Sequence, residues 1–130
     1  EAFGDKRPDQ IMKYAKKFRN IFYVYEADNI IAGYLAYYVH IKREGMSICS
    51  VATAYSIAVE QDLRGRGICT IMYEESTAQL KRNGVKAIYA YINVKNIPSL
   101  ATHKKLGFKV IKTIENLYGT DAGYKVELIL

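Results

Sequence analysis

The stretch 56–70 limits the possible folds most strongly, because it predicts an apolar strand, a basic turn with two glycines and a helix in immediate succession. Gly65 and Gly67 let the backbone approach a ligand without Cβ atoms in the way. A helix N-terminus carries unpaired N–H groups and a partial positive charge, and Arg64 and Arg66 add charge that attracts phosphate. The stretch therefore predicts a strand, a phosphate-binding loop and a helix.

Residue spacing predicts a single α/β domain over residues 1–130, because this length suffices for one hydrophobic core and not for two. The expected elements are a helix (8–18), strands (21–26, 30–40, 50–59), a central helix (67–83), a strand (86–94), a short helix (96–107) and strands (108–115, 124–130). The crossover around the central helix requires a parallel strand pair. We therefore expect a mixed, mostly antiparallel sheet flanked by helices.

Three finer expectations concern the first half of the chain. Pro8 opens the first helix, whose apolar residues recur at helical spacing: Ile11, Tyr14, Ala15 and Phe18. Gly33 marks either a bulge or a close approach within its strand. In the strand over 50–59 the even positions are small and the odd positions larger, so we expect one face on which a helix or a ligand packs closely.

The net charge of +6 and the cysteine content limit the ligands and the location. The charge supports a nucleic-acid-binding module as one alternative, but neither a recognition motif nor a transmembrane-length apolar run accompanies it. Cys49 and Cys69 make no disulfide framework, and no metal-type cluster joins them with His40 or His103. We therefore expect a cytoplasmic protein without metal, membrane partner or specific nucleic acid.

Two motifs resemble those of the GNAT-type N-acetyltransferases. Arg64-Gly65-Arg66-Gly67-Ile68-Cys69 is similar to the Arg/Gln-x-x-Gly-x-Gly/Ala signature that opens the central helix of that family. Asn96 and the later Leu106-Gly107-Phe108 resemble the second signature, an Asn-led helix closed by Leu-Gly-Phe. Cys69 stands where the family has Gly or Ala. We also expect the family's N-terminal strand and helix to be missing from this chain or present only in part.

The resemblance implies a GNAT-like acyl-CoA N-acyltransferase fold and transfer of an acetyl group from acetyl-CoA directly to a primary amine, through a tetrahedral intermediate. The loop N–H groups would bind the pyrophosphate, and the strand backbone would hold the pantetheine arm and polarise the thioester carbonyl. The implied cofactor-binding residues are Ile57, Ala58, Val59, Arg64, Gly65, Arg66, Gly67, Ile68, Cys69, Thr70 and Asn96.

The catalytic groups are less completely specified. His103 stands where family members often carry a tyrosine acid, and it is either that acid or a packed core histidine. Thr53, Tyr55 and Tyr91 occupy positions where some relatives carry a glutamate base. The remaining carboxylates considered are Glu26, Glu60 and Glu127, and we assign no base. Cys69 is either a nucleophile or, as we favour, a small residue beside the pyrophosphate.

The resemblance does not specify the acceptor, which could be a small-molecule amine or a peptide amine. We expect the basic helix 8–18 and the cluster Tyr34, Tyr37 and Tyr38 to line its side of the site. The resemblance also implies a possible homodimer, and Ile71, which the pattern leaves exposed, is a further indication of one. The alternative function is a non-catalytic acetyl-CoA-binding regulatory or interaction domain, suggested by the missing tyrosine and carboxylate.

Overall fold

The computed structural model describes residues 10–17 and 20–130, with side chains described from residue 20 onward. In this part of the chain the elements are β1 (Gln10–Lys17), β2 (Asn20–Ala27), β3 (Ile30–Glu44), β4 (Ser47–Val59), α1 (Ile68–Arg82), β5 (Val85–Asn93), α2 (Ile97–Lys105), β6 (Lys109–Tyr118) and β7 (Asp121–Ile129). One seven-stranded sheet has the order β1-β2-β3-β4-β5-β7-β6. Only β4 and β5 pair in parallel among these strands, which confirms the expected mixed sheet.

The predicted helix over residues 8–18 is wrong, because residues 10–17 form strand β1. This strand pairs antiparallel with β2, from Gln10 opposite Ala27 to Lys17 opposite Asn20. With a connection of only two residues, a hairpin supplies cross-strand backbone hydrogen bonds that outweigh the local helical spacing. Residues 8, 9 and 18 of the predicted helix lie outside the described residues.

The strands that follow agree with the sequence, and two-residue turns join them. Asp28 and Asn29 both have positive φ, 54° and 63°, as a two-residue hairpin turn of the mirror-image type requires. β3 continues to Glu44 and β4 begins at Ser47, so Gly45 and Met46 form the turn between them. The long β3–β4 hairpin brings β4 to the middle of the sheet.

Gly33 has both features that the sequence predicts. Tyr25 pairs with Gly33 and Glu26 pairs with Ile31, so Ala32 is the extra residue of a bulge in β3. A Cβ atom on Gly33 would lie 2.9 Å from the carbonyl oxygen of Ala58. Glycine therefore lets β3 approach the end of β4 closely.

A second bulge overturns the expectation of one small-residue face on β4. Ala36 pairs with Ser56 and Tyr37 pairs with Ala54, so Tyr55 is the extra residue. The alternation reverses at this point because the bulge shifts the two-residue period by one. Four β4 residues contribute to the core beneath α1, two before the bulge and two after it: Ala52, Ala54, Ile57 and Val59.

The crossover formed by α1 is the parallel connection that the sequence predicts, and its parallel pairing is short. The ladder between β4 and β5 ends at Ala54 opposite Ala90. Beyond this pair, β4 continues to Val59 beside β3, whereas β5 continues to Asn93 beside β7. The two strands therefore diverge and leave a gap between their C-terminal ends, which we call the strand gap.

The main core lies on the face of the sheet that carries α1 and α2. Helix α1 buries Ile68, Met72, Tyr73, Ser76 and Leu80 there, and burial of each large apolar side chain contributes about 1.5–3 kcal/mol. Ile71 packs against the same core, so it gives no indication of a dimer surface. Asn96 caps α2 by accepting a hydrogen bond from the Ser99 N–H at 3.3 Å, as the sequence predicts. No helix in the described residues is long and apolar enough to cross a membrane.

We predict that Gly33→Ala lowers the free energy of unfolding by about 1–3 kcal/mol, because backbone on β4 cannot move away from the new methyl group without disturbing the sheet. Gly123→Ala is the matched control, since its Cβ would meet mainly the side chains of Leu117 and Tyr118, which can reorient. Chemical denaturation measures both changes. An equal or larger loss for Gly123→Ala would contradict the close approach of β3 and β4.

Candidate functional site

The loop between β4 and α1 has the geometry of an anion site. A single 3-10 turn (Gln61–Leu63) separates the strand from the glycines, so the strand does not run directly into the loop. Gly65 and Gly67 have φ of 79° and 78°, a left-handed backbone that other residues adopt at a cost. The first intrahelical bond runs from the Ile71 N–H to the Gly67 carbonyl at 3.0 Å, which leaves the preceding N–H groups directed out of the helix end.

This loop forms one wall of a cavity of about 640 Å³ on the helix side of the sheet. The cavity is lined by 15 residues: Ile57, Ala58, Val59, Leu63, Arg64, Gly65, Gly67, Ile68, Cys69, Thr70, Asn96, Pro98, Ser99, Thr102 and His103. Of the residues that the sequence predicts for the cofactor, all but Arg66 line it, and so does His103. The structure therefore joins the two sequence motifs in one cavity, which we call the loop cavity.

The strand end and the loop are tied together by Arg64. Its Nε–H donates to the carbonyl oxygen of Val59 at 3.1 Å, so one of the five guanidinium N–H groups is already used. The exposed side chain of Arg66 does not line the loop cavity. The positive charge at this loop is therefore carried by the backbone N–H groups and Arg64 more than by Arg66.

His103 lies at the floor of the loop cavity and is 3% exposed. Its Nδ1 lies 2.8 Å from the Ser99 carbonyl oxygen, and its Nε2 lies 2.7 Å from the Tyr73 hydroxyl. A carbonyl only accepts, so Nδ1 donates its proton to Ser99 and Nε2 accepts the hydroxyl proton of Tyr73. Burial lowers the pKa of His103 and raises that of Tyr73, which keeps both groups uncharged.

These contacts favour the packed-histidine interpretation of the sequence over the acid. A neutral ring with Nε2 as an acceptor has no proton on that atom to give, and its other proton is bound to a backbone carbonyl. Phe108 and Tyr73 pack edge-on against the ring at centroid distances of 5.0 Å each. His103 as general acid stays a prediction.

The nucleophile interpretation of Cys69 is likewise not favoured. Burial raises the pKa of its thiol to about 11, so the thiolate that nucleophilic attack needs is scarce near neutral pH. Its place at the start of α1 and in the wall of the loop cavity suits the small-residue interpretation.

A second cavity, of about 530 Å³, opens on the opposite face of the sheet, at the start of the strand gap. It is lined by Asn20, Tyr38, His40, Thr53, Tyr55 and Tyr91, and we call it the tyrosine cleft. Thr53, Tyr55 and Tyr91 are the residues that occupy the base positions of some relatives. The structure brings them together directly beside the last parallel pair of β4 and β5.

The other predicted acceptor-side residues are divided between the two faces of the sheet. Tyr38 lines the tyrosine cleft, while Tyr34 bonds to the Ser56 hydroxyl at 2.8 Å. Tyr37 is fully buried in the main core, where its hydroxyl lies 2.8 Å from that of Ser76, so its predicted place beside the acceptor is wrong. A strand alternates its side chains, and Tyr37 therefore cannot share a face with Tyr38.

The carboxylates considered as bases lie elsewhere, and the sequence missed a nearer group. Glu26, Glu60 and Glu127 do not line the tyrosine cleft. His40 does line it, with Nε2 3.0 Å from the Thr53 hydroxyl oxygen. His40 is two residues after Tyr38 on β3, and residues two apart share a face of a strand, so this spacing could have placed His40 on the cleft side.

Comparisons with known proteins agree with this geometry. A family model for the acetyltransferase (GNAT) family matches residues 1–108. The N-alpha-acetyltransferase of Saccharolobus solfataricus is 30% identical over 119 residues, which are 85% of this chain and 71% of that protein. The ribosomal-protein-S18-alanine N-acetyltransferase structure from Escherichia coli has a TM-score of 0.74 at 19% identity and covers 88% of this chain and 71% of its own. Arabidopsis thaliana NAA60 in complex with acetyl-CoA has a TM-score of 0.78 at 12% identity, covering 88% and 78%.

The structural matches define the fold as that of N-acetyltransferases. The chain belongs to the acetyltransferase (GNAT) family, since the family model covers most of its length. It is an acetyl-CoA-dependent N-acetyltransferase, and the predicted fold, enzyme class and co-substrate are confirmed. The alternative of a non-catalytic binding domain is not favoured.

We predict that His103→Phe lowers the free energy of unfolding by about 1–3 kcal/mol, because the buried Tyr73 hydroxyl loses its acceptor. Adding Tyr73→Phe removes the unpaired hydroxyl and should restore part of the loss. Denaturation of the single and double variants measures this coupling. If His103→Phe instead retained its stability and lost activity, the acid role would be favoured.

The same residue gives a pH dependence. Burial lowers the pKa of His103, so the unfolded chain binds this proton more tightly than the folded protein does. The wild type should lose stability as the pH falls below about 6.5, and His103→Phe should lose less over the same interval. Thermal unfolding as a function of pH measures the difference between the two proteins. Any contribution from His40 is present in both and cancels.

Proposed function

We propose that this enzyme acetylates the N-terminal α-amine of a peptide or protein by direct transfer from acetyl-CoA. The name N-alpha-acetyltransferase of the Saccharolobus solfataricus relative supports this acceptor. A ribosomal protein bS18-alanine N-acetyltransferase from Salmonella typhimurium, 28% identical over 79 residues, supports it as well. The observation on which the proposal depends is the strand gap, which lies between the loop cavity on one face and the tyrosine cleft on the other.

The donor half of the reaction follows from the loop cavity. The N–H groups at the start of α1 would hold the pyrophosphate, helped by the partial positive charge of the helix end and by Arg64. The pantetheine arm would then extend along residues 57–59, where β4 has no partner on its β5 side. The Val59 carbonyl already accepts from Arg64, and the other N–H and C=O groups on that edge that lack a strand partner need hydrogen-bond partners, which an amide-containing arm supplies.

The chemical step would take place at the start of the strand gap. A backbone N–H from the unpaired edge of β4 would donate to the thioester oxygen and stabilise the negative charge of the tetrahedral intermediate. The acceptor amine would attack from the tyrosine cleft, which lies at the same point of the sheet. For His103 we propose a packing role: it accepts the Tyr73 hydroxyl and fixes α2 against α1.

Two finer expectations belong with this proposal. A cytoplasmic location is supported by the two free cysteines, Cys49 and Cys69. A peptide acceptor is supported by the openness of the tyrosine cleft, whose rings Tyr38, Tyr55 and Tyr91 are 40%, 50% and 41% exposed and can pack against a peptide. We propose no homodimer, since Ile71 is used in the core.

We predict that thiol release from acetyl-CoA depends on a free α-amine. The test compares peptides of one sequence with a free N-terminus, with a blocked N-terminus, and with a blocked N-terminus plus an internal lysine, along with small amines. Turnover is expected for the free N-terminus alone. Turnover of the blocked lysine peptide or of small amines alone would contradict the proposed acceptor, because the lysine ε-amine and the α-amine differ in position and basicity.

We predict that Gly67→Ala weakens acetyl-CoA binding about tenfold, or about 1.4 kcal/mol, by adding a methyl group at the helix N-cap. Gly45→Ala is the matched control: both glycines have left-handed φ, 78° and 60°, and for both no atom lies within 4 Å of the added Cβ position. Each variant should lose about 1–2 kcal/mol of stability through backbone strain. Titration calorimetry should show an affinity loss for Gly67→Ala alone, and equal losses would overturn the loop assignment.

A further inference from the structure

The tyrosine cleft contains one imidazole beside a hydroxyl, His40 next to Thr53. We propose that these two residues accept the proton that the acceptor ammonium must lose before it attacks the thioester. The inference rests on the proposed function, since it places the acceptor amine in this cleft. It fills the role of general base, which the sequence leaves unassigned.

The position of Thr53 at the strand gap carries the argument. Thr53 pairs with Tyr89, and the next residue, Ala54, forms the last parallel pair with Ala90. The Thr53 side chain therefore lies one residue before the strands diverge, on the cleft side, next to the point where the thioester carbon would arrive. His40 lies on the neighbouring strand, diagonal to Thr53, with its Nε2 3.0 Å from the hydroxyl oxygen.

The chemistry of the other cleft residues leaves the imidazole as the base. A phenol is a poor candidate in general, because it must lose its own proton, ordinarily near pH 10, before it can accept one. The Asn20 amide and the Thr53 hydroxyl do not hold an extra proton. An imidazole accepts one with an unperturbed pKa of about 6.5, close to the working range of a general base.

Several cationic side chains lie near His40. His40 also lines an adjoining cleft with Lys42, Arg43 and Lys125, and it stacks on Tyr38 at a centroid distance of 5.9 Å. Lys42 bonds to the Tyr89 hydroxyl, and Lys125 lies over the Tyr89 ring. Among the described side chains that line either cleft, none is a carboxylate, although Lys42 pairs with Glu44 at 3.3 Å.

The proton balance of the step is as follows. The acceptor ammonium gives a proton to the Thr53 oxygen while the Thr53 hydroxyl proton passes to His40 Nε2, so threonine is regenerated and an imidazolium forms. The neutral amine nitrogen then forms its bond to the thioester carbon. Collapse of the tetrahedral intermediate breaks the C–S bond. The nitrogen, which carries two hydrogens and a positive charge after the attack, gives its second proton to the departing CoA sulfur, so an amide and the CoA thiol are released, and the imidazolium returns its proton to solvent.

The test measures kcat/KM as a function of pH with a peptide that the wild type acetylates. His40→Gln should lose about 100-fold near neutral pH, the lower range for general-base catalysis. The loss should shrink above about pH 8, where an α-amine is already neutral. Thr53→Val should show the same pH-dependent loss of kcat/KM. Thr53→Ser keeps the hydroxyl and should retain most of the rate. Ile41→Ala on the same strand is the control, and acetyl-CoA affinity should be unchanged in all four.

The outcomes separate the two proposals. If the wild type acetylates no free α-amine, the proposed function falls and the role of His40 falls with it. If the wild type is active and His40→Gln keeps its rate, or loses the same factor at every pH, only the role of His40 is overturned. A pH-independent loss is what damage to the structure would give.

A measurement on the unsubstituted protein covers the case in which His40→Gln does not fold. The chain has two histidines, so nitrogen NMR can assign both rings. The proposal requires neutral His40 to carry its proton on Nδ1, with Nε2 accepting from Thr53. A proton on Nε2 of the neutral ring would overturn the relay. His103, whose Nδ1–H is bound to Ser99, is the internal reference for the expected tautomer.

Discussion

The end of the parallel pairing between β4 and β5 is the constraint on which the rest of the structure depends. After Ala54 and Ala90, each strand keeps a partner on its outer side and loses the one between them. Backbone N–H and C=O groups are costly to bury unpaired, so such an edge is tolerated only beside an open cavity or a bound ligand. The bulge at Tyr55 follows the last parallel pair directly, and the close approach at Gly33 lies at the end of β4, beside Ala58 and Val59. Both local irregularities therefore lie along the part of β4 that has no β5 partner.

The two faces of the sheet divide the chemistry. On the helix face, the glycine loop and the N-termini of α1 and α2 form a site suited to an anionic cofactor, held by backbone groups whose position the buried core fixes. On the opposite face, side chains from four neighbouring strands form an open cleft suited to an amine. His103 and Tyr73 contribute to the rigidity of the first face, since each satisfies a buried polar group of the other.

The sequence predicted the donor side well and the acceptor side poorly, for a physical reason. A helix end, a glycine with left-handed φ and an Asn cap are local devices, so the loop before α1 and the cap of α2 could be located from neighbouring residues alone, although Arg66 does not line the loop cavity. The acceptor side depends on which strands are adjacent and which way each side chain points. The helical spacing in 10–17 was overridden by pairing with β2, and the bulge at Tyr55 reversed the expected alternation of β4. His40 and Thr53 are 13 residues apart, and only strand pairing brings them together.

By itself the sequence determined the order of most elements, the phosphate-type loop and the family, because these follow from short-range patterns of glycine, charge and apolar spacing. Only the tertiary structure decided where β4 and β5 part, which face each tyrosine occupies and that His103 is bound on both ring nitrogens. These features arise from hydrogen bonds and packing between residues far apart in the chain. A register shift of one residue exchanges the two faces of a strand and leaves the local sequence unchanged.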